Sequence, residues 1–168
     1  MNHIYIIEDD SVLCSELALA LEAVGYHTTC ANDFNNVLNE FLLVSPDLVI
    51  LDINLPNTDG FILCMKIRKV SQVPIIFITG RDSQIDELQA LSLGGDDYIT
   101  KPFEIQEVLA RIQVQLRHMQ QESEHKSVSY KNLELDRERF EVRIAGVLLP
   151  KITKQEFAIL ELLLEHPK

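Results

Sequence analysis

Five polar residues in the first hundred positions obey one spacing rule: each stands at or just past the end of a short apolar run. Glu8 and Asp9 follow His3–Ile7, Asp52 ends Leu48–Leu51, Thr79 ends Ile75–Ile78, and Lys101 follows Tyr98–Ile99. Three carboxylates brought together repel one another, and a bound cation is the usual relief. Oxygen-only ligands favour Mg²⁺, which keeps several waters and shares one or two carboxylates with a phosphate. A carboxylate can also attack phosphorus and form an acyl phosphate. That transfer needs positioning and neutralisation of the equatorial oxygens more than covalent help. The Lys101 ammonium can supply part of the neutralisation, and the Thr79 hydroxyl can donate to a further oxygen. Each residue also has a plainer reading. Acidic side chains at strand ends are often just solvated, Lys101 can be a structural partner of Asp9 or Asp52, and Thr79 can be a strand-end residue. The complete ordered set favours the chemistry.

Such a set needs elements that deliver it to one rim. Short apolar runs alternate with helical patterns through residues 1–119. His3–Ile7 reads as a strand, and Leu13, Leu17, Leu21 and Val24 repeat at helical spacing until Gly25 ends the helix. Residues 27–30 make a second strand, and Val37, Leu38, Phe41 and Leu42 a second helix. Leu48–Leu51 is the third strand, and Phe61, Met65 and Ile67 mark the third helix. Ile75–Ile78 follows Pro74 as the fourth strand. Ser83 caps a fourth helix, with Ile85, Leu88 and Leu91 expected to face inward. Tyr98–Ile99 is the fifth strand, and Ile105, Val108, Leu109, Ile112 and Leu116 stripe the fifth helix. Five such units predict an α/β fold, a five-stranded doubly wound parallel sheet covered on both faces. Ligands of such sheets bind beyond the carboxyl ends of the strands, where the polar set lies.

With 46% hydrophobic and 24% charged residues, the 168-residue chain has a globular composition and room for one domain plus part of another. Residues 1–119 hold seventeen Asp/Glu against seven Lys/Arg, so this unit repels phosphate backbones and is not expected to bind nucleic acid. Residues 120–168 are near neutral, with nine against eight. Cys14, Cys30 and Cys64 lack metal-ligand spacing and lie beside apolar residues, which predicts buried free thiols in a reducing cytosol. Glu8, Asp9 and Asp10 interrupt the first apolar run, against a signal peptide. No run approaches the length of about 20 apolar residues that spans a bilayer. A cytoplasmic protein without a membrane segment is expected.

The segments Ile7-Glu8-Asp9-Asp10, Leu51-Asp52-Ile53-Asn54-Leu55-Pro56, Ile78-Thr79-Gly80 and Tyr98-Ile99-Thr100-Lys101-Pro102-Phe103 resemble the receiver domain of bacterial two-component response regulators. Their order and spacing match over residues 1–119. The resemblance implies a flavodoxin-like receiver that is not an enzyme in its own right, in which Asp52 accepts a phosphoryl group from a phosphohistidine on a sensor histidine kinase. It implies Mg²⁺ held by Asp9, Asp52 and the Asn54 backbone carbonyl, with Glu8 acting through water. It implies a cis Lys101–Pro102 bond directing Lys101 at the phosphate, and places Asn54 and Arg81 at positions that tune acyl-phosphate lifetime. Thr79, Tyr98 and Pro102 would be switch residues. Asp96-Asp97-Tyr98 and Leu109-Ala110-Arg111-Ile112 resemble the OmpR/PhoB subfamily, whose active receivers form a homodimer through the fourth helix, fifth strand and fifth helix. Asp97 and Arg111 match positions that pair across that interface. Glu87 stands where a basic residue is usual, opposite the acid matched by Glu107, which weakens the expected dimer.

Residues 120–127 are polar throughout and read as a linker. Beyond them, Val128–Leu135 and Phe140–Ile144 look like strands, Ala145-Gly146 like a turn before Val147–Leu149, and Thr153-Lys154-Gln155-Glu156 like a capping box. Residues 128–168 resemble the start of a winged-helix DNA-binding domain, a partial one holding its β platform and first helix. A complete parent would regulate transcription through DNA; residues 128–168 lack the recognition helix and are not expected to bind DNA specifically. Phe157, Leu160 and Leu164 are expected to lack covering partners. Two other classes compete for residues 1–119. A haloacid-dehalogenase-type phosphatase expects a second Asp two places after the nucleophile, where Asn54 stands. A phosphorylation-independent module would not need the intact set.

Overall fold

In the first 116 residues the central strands His3–Ile7, Leu48–Leu51 and Ile75–Thr79 alternate their side chains between two helix-covered faces, which is why they read as almost unbroken apolar runs. The computed structural model describes residues 1–81, 83–136, 141–150 and 152–165, with the backbone alone at 120–129, 154 and 165. The chain forms two compact units, Met1–Leu116 and Arg117–Lys168. In the first unit β1 (His3–Ile7), α1 (Ser11–Ala23), β2 (His27–Cys30), α2 (Val37–Val44) and β3 (Leu48–Leu51) follow in order. A small hairpin, β4 (Asn54–Leu55) and β5 (Thr58–Asp59), leads into α3 (Gly60–Arg68). Then come β6 (Ile75–Thr79), α4 (Gln84–Ser92), β7 (Asp97–Thr100) and α5 (Ile105–Lys126).

The five long strands make one sheet of order β2-β1-β3-β6-β7, and every pair in it is parallel. Tyr5, Ile7, Val49, Leu51 and Phe77 face one layer with Phe41, Phe61 and Ile67 from α2 and α3. Ile4, Ile6, Ile50, Ile76 and Ile78 face the other, against Leu17 and Leu21 of α1 and Val108, Ile112 and Leu116 of α5. The strand order reverses between β1 and β3, so the crevice beyond their carboxyl ends is the topological switch point.

Several helix limits follow local rules. Asp10 accepts from the Val12 and Leu13 amides and opens α1, and Gly25 at φ +95° follows its end. Ser83 caps α4 by accepting from the Asp86 amide, as predicted. The inward face predicted for α4 is not observed. Ile85 is 76% exposed, Leu88 68% and Leu91 41%, and Ala90 is the buried residue of this helix. The packing explains the reversal, because α4 lies close against the sheet. A side chain at Gly95 would stand 2.7 Å from the Phe77 ring and 2.9 Å from the Ala90 carbonyl, leaving room beneath the helix for alanine rather than leucine.

The segment read as a linker is helical through Lys126, since α5 continues across residues 120–126. Its Gln, Glu, His and Lys residues include no Gly or Pro to end the helix. The second unit holds β8 (Ser127–Tyr130), β9 (Leu133–Asp136), β10 (Glu141–Ile144), β11 (Val147–Leu148) and α6 (Lys154–Glu165). Its strands form an antiparallel sheet of order β11-β10-β9-β8. The run read as one strand over Val128–Leu135 is two, turned at Lys131 with φ 56°. Phe140, read as the start of the next strand, lies outside the described residues. Ala145 (φ 50°) and Gly146 (φ 79°) supply the two left-handed residues of a tight hairpin. The Thr153–Glu156 capping box forms: the Thr153 amide donates to Glu156 at 2.7 Å, and the Glu156 amide to the Thr153 hydroxyl at 3.3 Å. Phe157 is not left uncovered; it is 2% exposed against Leu135 and Val142, with Leu160 and Leu164 packed beside it. The platform strands supply partners that the helix pattern alone could not reveal.

Candidate functional site

The parallel register brings the predicted residues to one rim. Ile7 pairs with Leu51 in neighbouring strands, so Glu8 and Asp52 leave the sheet side by side, and the Asp52 amide donates to the Ile7 carbonyl at 2.9 Å. Thr79 pairs with Thr100, which sets Lys101 just beyond, its amide donating to the Thr79 carbonyl at 2.8 Å. Glu8 and Asp52 are each 4% exposed and Thr79 is fully buried, whereas Asp9 faces solvent.

Lys101 closes the gap between the buried acids. Its ammonium Nζ donates to Glu8 Oε2 and Asp52 Oδ2, both at 2.7 Å. Burial by itself would lower its pKa; the two carboxylates overcome this and hold it above the ordinary lysine value. For Glu8 the balance runs the other way. Burial pushes its carboxyl above the ordinary value, with the Asp52 charge adding to it, against the restraint of the Lys101 ammonium and the Asp10 amide. The structural pairing foreseen for Lys101 with Asp52 is therefore real, and it sits within the site.

Carboxylate oxygens of Glu8, Asp9 and Asp52 lie within 4.8 Å of one another. Three carboxylates facing one ammonium leave two formal negative charges and an all-oxygen donor set, which fits a hard divalent cation. The β4–β5 hairpin turns at Asn57 (φ 65°) and brings Asn54 over the same rim, its amide donating to Asp52 Oδ1 at 3.1 Å. Arg81 reaches across to the Asn54 side chain, Nε to Oδ1 at 3.0 Å, and also pairs with Asp86 at 3.6 Å. The Lys101–Pro102 peptide is cis.

Two contributors escaped the sequence reading. Gly60 packs so closely beneath the site that a Cβ there would stand 2.2 Å from the Asp52 carbonyl oxygen and 2.7 Å from Ile53 Cα. A glycine opening a helix directly after Asp59 was the available signal. Cys14 and Cys30 also escaped it: they are disulfide-bonded rather than free, and Cys64 is the buried free thiol. The sequence pattern hid this because Cys14 lies in the first turn of α1 and Cys30 ends β2, elements whose antiparallel return brings the two together. They line a half-open cleft of roughly 310 Å³ together with Glu8, Asp9, Asn32 and Phe34.

The predicted switch and dimer residues lie further out. Tyr98 is buried, and its hydroxyl donates to the Arg81 carbonyl at 2.6 Å. Asp97 accepts from Arg111 of the same chain at 2.9 Å, and Arg111 also reaches Glu107 at 3.5 Å. The pair expected to meet across a dimer is thus satisfied within one chain. Glu87 is exposed on α4.

The description "Response regulator receiver domain" fits residues 4–113 of this chain. The chain is 44% identical to the transcriptional regulatory protein YxdJ of Bacillus subtilis, over 99% of its own length and 74% of that protein. Its receiver resembles the N-terminal domain of the nisin resistance regulator NsrR, a lantibiotic response regulator, with 38% identity and a TM-score of 0.65 over 70% of this chain and 99% of that one. The response regulator DrrB of Thermotoga maritima, an OmpR/PhoB homologue, matches 98% of this chain and 73% of its own at 26% identity and a TM-score of 0.63.

Proposed function

Because this chain belongs to the response regulators of two-component systems, in their OmpR/PhoB group, we propose that Asp52 is its phosphoacceptor. The observation that carries this reading is the buried Asp52 carboxylate, held by the Lys101 ammonium at 2.7 Å and the Asn54 amide at 3.1 Å beside Glu8 and Asp9. An Asp52 carboxylate oxygen attacks the phosphorus of a phosphohistidine on a sensor kinase. The P–N bond breaks, its electron pair returns to the imidazole, and the Asp52–phosphorus bond forms. Asp9, Asp52 and the Asn54 carbonyl would hold Mg²⁺, with Glu8 contributing through water, and the bound ion would supply neutralisation of the phosphoryl oxygens. Lys101 neutralises further charge, and the Thr79 hydroxyl donates to a phosphoryl oxygen. The protein is a single-turnover acceptor rather than an enzyme.

Output follows from the neighbours of Thr79. Its hydroxyl accepts from the Arg81 amide at 3.4 Å, and Arg81 in turn accepts from Tyr98, so a Thr79 drawn to the phosphoryl group perturbs the α4–β7–α5 face. Homodimerisation through this face is weakened by Glu87 opposite Glu107. The second unit, with its sheet and α6, serves DNA-linked output in a full-length regulator, and the protein acts in the cytoplasm. Among the described residues no helix is long and apolar enough to cross a membrane.

The test is labelling by acetyl phosphate with and without Mg²⁺, comparing wild type with Asp52→Ala. Mg²⁺-dependent incorporation that disappears in the variant is expected. Incorporation that survives loss of Asp52, or its absence from the wild type, overturns the assignment.

A further inference from the structure

We propose that the Cys14–Cys30 disulfide is a redox-sensitive modification site whose state sets cation affinity and phosphoacceptance at the adjoining acidic cluster. This rests on the phosphoacceptor reading above. The bond joins two elements that frame the metal side of the site. Cys14 lies in the first turn of α1, its amide donating to the Asp10 carbonyl at 2.9 Å, one residue after Asp9. Cys30 ends β2, the edge strand, which pairs with β1 alone. The disulfide therefore pins the start of α1 to a strand with one neighbour. Both cysteines share a cleft with Glu8 and Asp9.

Two thiols cannot remain at bonding distance, so reduction moves the sulfurs apart to van der Waals contact and removes the covalent tie between the first turn of α1 and the end of β2. Asp9 stands between β1 and that turn and is exposed. The oxidised form preorganises Asp9, and the reduced form leaves it freer, so reduction weakens cation binding. A disulfide in a reducing compartment is transient and sensing rather than permanent.

The exchange is ordinary thiol chemistry. A thiolate of a dithiol reductant enters the cleft and attacks the sulfur of Cys30, the more exposed cysteine. The Sγ–Sγ bond breaks, and its electron pair leaves on Cys14, which takes a proton. The second thiol of the reductant then displaces Cys30 as a thiol. Cystine gains two electrons, and the dithiol becomes a disulfide.

The experiment uses the full chain prepared without reductant, and the same protein after dithiothreitol. Alkylation in urea, which exposes the buried Cys64, followed by mass spectrometry counts free thiols, while calorimetric titration of the folded protein gives the Mg²⁺ Kd and acetyl phosphate labelling gives the rate. Before reduction Cys64 alone should alkylate; after reduction all three cysteines should. Reduction should raise the Mg²⁺ Kd by on the order of threefold to tenfold and slow labelling in parallel. Cys64→Ser should keep this response, and the Cys14→Ser/Cys30→Ser double variant should lose it. Equal Kd and rate in both redox states, with labelling intact, overturns the inference and leaves the phosphoacceptor reading standing. Three alkylated cysteines before reduction overturn it as well. No labelling in either state removes the phosphoacceptor reading and this inference together.

Discussion

Replacing Lys101 with Met leaves two buried carboxylates facing each other without their shared counter-charge. Lys101 is the ammonium 2.7 Å from both Glu8 and Asp52, and those side chains are only 3% and 5% exposed. Removing one member of a buried ion pair costs about 3–5 kcal/mol. The Lys101 side chain is itself 24% exposed, so water screens part of the loss and about 2 kcal/mol is the expected size at neutral pH.

The pH dependence of that loss is what makes the experiment decisive. Burial and the Asp52 charge both raise the Glu8 pKa, and the Lys101 ammonium is the main opposing influence. Without it the folded-state Glu8 pKa rises further above its ordinary value of 4.5. An acid whose pKa is raised by folding binds more protons folded than unfolded, so its destabilising effect grows as pH rises through the folded pKa. Urea unfolding in EDTA should therefore show Lys101→Met losing about 1 kcal/mol more at about pH 8 than at about pH 5.5, relative to wild type. Added Mg²⁺ should restore part of the loss by binding the folded state. A variant as stable as wild type in EDTA at about pH 8, or a pH-independent deficit, refutes the charge-pair account.

Gly60→Ala should destabilise by about 2 kcal/mol in urea and slow acetyl phosphate labelling on the order of tenfold, because its Cβ displaces the backbone of Asp52. Arg68→Ala should cost about 3 kcal/mol in the same unfolding assay, since Arg68 donates to the Gly94 and Val73 carbonyls and pairs with Asp96 at 2.7 Å. His3 has its pKa lowered by burial and then by the stacked His27, with Asp47 opposing. Its contribution to stability is present above the unfolded value of 6.5 and lost as pH falls below it, so His3→Gln should flatten the decline between about pH 7 and pH 5.

The central strands and the rim residues were legible because both follow from one rule, that a buried parallel strand is apolar until it leaves the sheet, whereas the edge strand 27–30 is polar and only partly buried. Three strand limits, His3–Ile7, 27–30 and Leu48–Leu51, agree with the sequence reading to the residue. The buried face of α4 was not legible. Periodicity reports which residues share a face but not which way it points, and Ala90 carries too little apolar weight to mark the packed side. The disulfide was hidden for a related reason, since a separation of 16 residues acquires meaning only once α1 and β2 are placed. Gly60 was missed because a glycine after Asp59 marks a helix start without revealing its close approach to Asp52.

The way α4 is held bears on how the site can be reported. Thr79 ends β6, where Phe77 and Thr79 are registered against Tyr98 and Thr100 of β7, and Phe77 and Thr79 are fully buried, so β6 itself is firmly held. The loop after Thr79 is bound to it through the Arg81 amide and to Tyr98 through the Arg81 carbonyl. Tyr98 follows Asp97, which holds Arg111 on α5. Beyond that loop α4 buries Ala90 and turns Ile85, Leu88 and Leu91 outward. Ala90 is thus the one buried side chain of α4, whereas α1, α2 and α3 each bury two or more, and elements with few buried contacts open at the lowest free energy. A displacement at Thr79 that β6 resists is therefore passed through this loop to α4, and the apolar residues it carries outward are among those whose arrangement changes.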